Sequence, residues 1–114
     1  MILTVESRQI PPDVSVLEMK GRIILGKDAH GVEQKVAELL REQVRKFIFD
    51  LTGVTLMDST GVGILVVCQS MIKKEGGKLR IAGANGSIKN TMKTTKVDKL
   101  LQMYPSVEEA AASF

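Results

Sequence analysis

Tryptophan is absent from this chain, and tyrosine, cysteine and histidine each occur once. These scarcities exclude several functions. A single-strand nucleic-acid binder stacks bases on aromatic side chains, and one tyrosine and three phenylalanines offer little for that. The lone Cys68 allows neither an internal disulfide nor a cysteine metal centre, and its apolar neighbours Ile64–Val67 point to a buried thiol. With His30 as the only histidine, a conventional zinc site lacks its ligands. A Ser-His-Asp triad would have to join His30 to Ser59 without the GxSxG elbow that normally presents the serine. His30 reads instead as a residue near the start of a helix.

Long apolar runs are missing too. No stretch approaches the ~20 residues that span a bilayer, and MILTVESRQIPPD has no basic leader followed by an apolar core. A cytoplasmic protein with no membrane span is the expectation. Charge of one sign is also in short supply. Sixteen Lys and Arg face thirteen Asp and Glu, a formal +3, too slight an excess to imply nucleic acid. Lys89, Lys93, Lys96 and Lys99 do cluster. Such a run is ordinarily a solvated face, with a patch for an acidic partner as the other reading.

What is present is an ordinary core. Hydrophobic residues make up 44% of 114, enough for one domain spanning 1–114 to fold without metal or disulfide. Residues 2–10 and 14–20 alternate apolar and polar side chains (Ile2, Val5; Val14, Val16) around the turn signal IPPD, which predicts a hairpin. Gly21 and Gly26 bracket GRIILG, and Asp28 is a candidate cap for a helix over 29–45, with Val32, Val36, Leu39, Leu40 and Val44 on one face. KFIFDL reads as a central strand covered on both faces. GILVVCQSMIKK, stopped by Gly76 and Gly77, reads as a second helix. KLRIAG at 78–83 follows as a strand, and SIKNTMKTT as a short helix. The segment around Val97–Leu101 reads as a return strand, and PSVEEAAAS as a terminal helix whose Glu108 and Glu109 suit the helix dipole. Strands alternating with helices make an α/β fold with a mixed sheet.

The informative stretch is MDSTGVGIL, Met57–Leu65, between FIFDL and the second helix. At such a junction Asp58 or Ser59 can cap the first free N–H groups. Capping accounts for one acceptor, but not for two hydroxyls followed by Gly61 and Gly63. Glycines there would strip bulk from the first turn and let another molecule approach the backbone. On that reading Gly61→Leu keeps the fold and loses a partner. A serine hydroxyl at a helix start can also carry a phosphate, which the dipole and free amides favour. GVG at 61–63 is no dinucleotide fingerprint, since Val66 stands at the third glycine position, and no GxxxxGK[ST] loop occurs. No intrinsic catalysis and no cofactor are expected.

FDLTGVTLMDSTGVGIL, with its flanking elements, closely resembles the signature of STAS domains, and in particular the small single-domain anti-sigma factor antagonists of bacteria. The resemblance implies a sheet of four or five strands packed against helices, with a Gly21 turn before the first helix. It implies that Ser59 is a phosphorylated serine, preceded by Asp58 and followed by Gly61. Thr60 stands where many relatives have a second serine, so position 60 is the alternative site. The implied partner-binding surface is Met57, Asp58, Ser59, Thr60, Gly61, Val62 and Gly63. The implied partners are an anti-sigma factor that is also a serine kinase, and a PP2C-type phosphatase. Binding by the unphosphorylated antagonist would free the sigma factor, and phosphorylation would end it, with ATP and Mg²⁺ supplied by the kinase. The alternative is a STAS scaffold module of a stress-signalling assembly or of a lipid or anion transport system.

Overall fold

The computed structural model describes residues 3–26 and 28–114. Its elements follow the chain as strands β1 (Thr4–Ile10) and β2 (Val14–Ile23), helix α1 (His30–Arg41), strand β3 (Lys46–Met57) and helix α2 (Ser59–Lys74). Then come strand β4 (Lys78–Ala82), helix α3 (Gly86–Thr94), a 3-10 turn (Val97–Lys99), strand β5 (Gln102–Tyr104) and helix α4 (Val107–Ala112). The five strands form one sheet in sequence order. β1 and β2 make the antiparallel hairpin, and each later pair is parallel, joined by a helix.

Alternation along the strands divides the core in two. Leu17 and Met19 of β2, Phe47, Phe49 and Leu51 of β3, and Leu79 and Ile81 of β4 face α1, α2 and α3 in one cluster. The intervening residues Val14, Val16, Ile48 and Ala82 meet Ala110 of α4 on the opposite face. Phe47, Ile48 and Phe49 are therefore all fully buried, as a strand covered on both faces requires. On the α4 side, Arg80 is the one buried charge among the described residues. Its Nε donates to Ser113 Oγ at 2.9 Å, and its guanidinium lies 4.8 Å from the Phe114 ring centroid. Ser106 caps α4 by accepting from the Glu109 N–H. No helix among the described residues is long and apolar enough to cross a membrane.

Several boundaries differ from the sequence reading. Ile2 lies outside the described residues, and β1 starts at Thr4. β2 runs on to Ile23, so Gly21 is no turn. It sits inside the strand, at φ +107°, where the register with β3 shifts. Asp28 does not cap α1. Ala29 occupies the cap position with no side-chain bond, and the first helical residue is His30, whose ring lies 3.3 Å from Glu33. The helix stops at Arg41 rather than 45 because Gln43 turns left-handed, at φ +71°. Val44 still packs on the core, from the loop. The return strand is Gln102–Tyr104, and Val97–Leu101 instead forms the 3-10 turn and its exit.

Cys68 lies in the middle of α2, fully buried. Burial pushes its thiol up to about 12, and the charge of Glu33 adds to the shift. In mildly alkaline buffer the native protein is expected to resist a thiol-selective disulfide reagent and to react stoichiometrically once denaturant is added. Rapid labelling of the folded protein would show the thiol to be accessible.

Candidate functional site

The site is built where β3 outruns its neighbour. β4 pairs with β3 only as far as Asp50, whereas β2 stays paired as far as Met57. Beyond Asp50, β3 thus has β2 as its one strand partner. Asp58 continues that ladder, its N–H donating to the Ile23 carbonyl at 3.3 Å.

The Asp58 carboxylate then joins three segments. Oδ1 accepts from the Gly61 N–H at 2.9 Å, capping α2, and Oδ2 accepts from the Leu25 N–H at 3.0 Å, securing the loop after β2. Asp58 is extended, as a cap residue should be. The Leu25 N–H above all, then those of Gly61 and Thr60, stabilise the charged form and hold this carboxyl below its ordinary value. Of the two cap candidates, Asp58 does the work. Ser59 is exposed and Thr60 half-buried, and neither hydroxyl bonds to another described residue.

The two glycines have opposite surroundings. A Cβ on Gly61 would land on the Ile23 carbonyl oxygen and within 2.8 Å of Met57 Cγ. Gly61 is therefore buried against its own chain, so the condition of an exposed side chain, on which the expected stability of Gly61→Leu rests, is not met, and internal packing accounts for the bareness of this position. A Cβ on Gly63 would meet nothing within 4 Å, and Gly63 is exposed. Of the sequence-derived surface, Met57, Gly61 and Val62 point inward, Asp58 and Thr60 are half-buried, and Ser59 and Gly63 face outward.

The outward residues belong to a larger face. Ser59, Gly63, Val67 and Ser70 are exposed along α2, and no charged residue occurs between Asp58 and Lys73. Most solvated helix faces carry charge. Among the described residues, Leu25, 75% exposed, Leu56, 46%, and Val67, 44%, are three of the four large apolar side chains most open to solvent. Sequence reasoning missed all three. The charge-free run Ser59–Ile72 was the available signal for Val67, while nothing local marks Leu25.

A family model for the STAS domain matches residues 7–110, and the chain belongs to the STAS domain family. It is similar to a Thermotoga maritima protein provisionally described as an anti-sigma factor antagonist, 25% identical over 103 residues covering 90% of each chain. A crystal structure of a Thermotoga maritima protein of the same provisional description superposes with a TM-score of 0.87 at 21% identity, over 96% of this chain and 92% of that one. The phosphorylated form of the Bacillus cell fate determinant SpoIIAA matches with a TM-score of 0.69 at 16% identity, over 96% and 98%. These structural likenesses define the fold as that of SpoIIAA-like STAS domains.

Two variants separate the roles of the junction residues. Asp58→Ala is expected to lose about 1 kcal/mol at neutral pH, the usual cost of a lost cap. Because the folded carboxyl is held below 3.8, its ionised contribution is complete above that value and fades as pH falls through the folded one. Urea melts of wild type and variant should therefore converge in acid. Gly61→Ala should be destabilised by roughly 1–3 kcal/mol through overpacking, outweighing the gain in helix propensity of up to ~1 kcal/mol. Gly63→Ala should be as stable as wild type or slightly more so, and a reversed order in thermal melts would contradict the assignment.

Proposed function

We propose that this protein is an anti-sigma factor antagonist of the bacterial cytoplasm, switched by phosphorylation of Ser59. The observation that carries the reading is the position of Ser59. It is exposed on the first turn of α2, with no hydrogen bond to another described residue, at the head of a helix face with no charge, and the Asp58 before it holds the backbone of the exposed Leu25. Unmodified, this face offers apolar and small side chains to a partner, and desolvating it costs little. The proposed partner is an anti-sigma factor that is also a serine kinase, and the chain itself is a regulator rather than an enzyme.

The switch follows from charge. The Ser59 hydroxyl oxygen attacks the γ-phosphorus of ATP held with Mg²⁺ by the kinase. The Oγ–P bond forms, the bond to the β-phosphate oxygen breaks, ADP departs, and the serine proton passes to a base on the kinase. The product places ~1.5 to 2 negative charges on the face. The helix dipole tolerates them, and Asp58 already supplies the cap, so the fold stands while the docking surface turns anionic. Hydrolysis by a PP2C-type phosphatase would restore it. Thr60 is the alternative acceptor, though half-buried.

Incubation with the cognate kinase and Mg-ATP is expected to add one phosphate, on Ser59, and mass spectrometry of Ser59→Ala is the check. Labelling of that variant at Thr60 would move the site by one residue, and labelling elsewhere would sink it. Ser59→Asp should melt like wild type yet bind the kinase at least about tenfold more weakly, a loss of ~1.4 kcal/mol. Gly63→Leu should also stay folded, since its position is open, and lose binding by calorimetry. Undiminished affinity in Gly63→Leu would place the docking surface elsewhere.

A further inference from the structure

A second surface lies along the opposite side of the sheet from β1. β5 is an edge strand, and a groove of about 560 Å³ runs beside it, walled by α3 and the 3-10 turn. The Tyr104 carbonyl accepts from the Gly83 N–H at 3.1 Å. Tyr104, and by alternation Gln102, therefore turn their backbone polar groups toward β4, leaving those of Met103 on the open edge. An open edge is a template for another strand unless something guards it.

The walls are basic. Lys89 and Lys93, one helical turn apart on α3, line the groove together with Lys99 and a single acid, Asp98, one of whose carboxylate oxygens is buried. With Lys96, these four have no ion-pair partner among the described residues, a property they share with Lys20, Arg41, Lys73, Lys74 and Lys78, so it is their clustering that sets them apart. The stretch 83–105 holds four lysines and one acid, Asp98, an excess equal to the formal charge of the whole chain. Leu100, 61% exposed, and Met103 add apolar surface.

We propose that this groove docks an extended acidic segment of a partner protein. The segment adds as a strand to the free edge of β5, with its carboxylates on Lys89, Lys93 and Lys99. Spread along two walls, the ammonium groups suit a chain with repeated carboxylates better than a single small anion, which would need convergent donors. Main-chain bonds at Met103 supply binding, and the lysines supply selectivity for acidic sequence. The bland alternative is that the lysines only guard a short edge. This proposal is independent of the Ser59 reading, since it uses none of the α2 face.

The test is an NMR titration of the ¹⁵N-labelled protein with the peptide Ac-EVEVEVE-amide at low salt. Saturable shifts are expected at the amides of residues 100–104, lost as salt rises. The basic peptide Ac-KVKVKVK-amide should leave them unmoved. A version N-methylated at alternate residues, unable to pair as a strand, should bind at least about tenfold more weakly, as should wild-type peptide to the Lys89→Glu/Lys93→Glu variant. That variant changes exposed residues only, and a thermal melt confirms its fold. Absence of saturable shifts would leave the lysines as edge guards and overturn the proposal. So would equal binding of the basic or N-methylated peptide, or displacement of the acidic peptide by stoichiometric inorganic phosphate, which would indicate a simple anion site.

Discussion

Helix α2 can begin where it does only because Gly61 has no side chain. The Ile23 carbonyl, at the end of β2, occupies the space that a Cβ would need, and it also accepts the Asp58 N–H. One backbone oxygen thus sets the distance between the end of the hairpin and the first turn of the helix. Asp58 closes the same junction from the other side, tying Leu25 and Gly61 to one carboxylate. The extension of β3 past β4 depends on this clasp, since β2 is its one strand neighbour there. The position of Ser59 depends in turn on the extension.

The clasp also explains how much of the site could be read beforehand. The alternation of β1 and β2, the unbroken FIFDL and the apolar stripe of α1 are periodic, and periodicity carries burial. The sheet and its helices were legible for that reason. So was the junction, because an acid followed by two hydroxyls before an apolar run is a helix start on chemistry alone. Which glycine does what was not legible. Gly61 and Gly63 are two residues apart and identical in sequence, and only the Ile23 carbonyl, distant in the chain, distinguishes them. The end of α1 gave no signal because its left-handed residue is Gln43, not the glycine or asparagine that usually marks such a turn. Val97 and Leu101 are both buried. Two buried apolar residues around a short segment look alike whether it is a strand or a 3-10 turn.

The division of labour between Asp58 and Ser59 bears on how a modification could act without unfolding anything. Had Ser59 been the cap, a phosphate on its oxygen would have displaced the bond that starts α2, and the switch would have been a local unfolding. With the carboxylate as cap, the hydroxyl is left with no structural duty. Its modification then alters charge at constant backbone. The same separation holds for the glycines: the bare position that packing requires is buried, and the bare position that packing does not require lies on the uncharged face. Structural roles thus fall to Asp58 and Gly61, and the outward positions to Ser59 and Gly63. On the proposed reading a partner would contact the outward set, Ser59 and Gly63, while the inward set, Asp58 and Gly61, holds the helix in place.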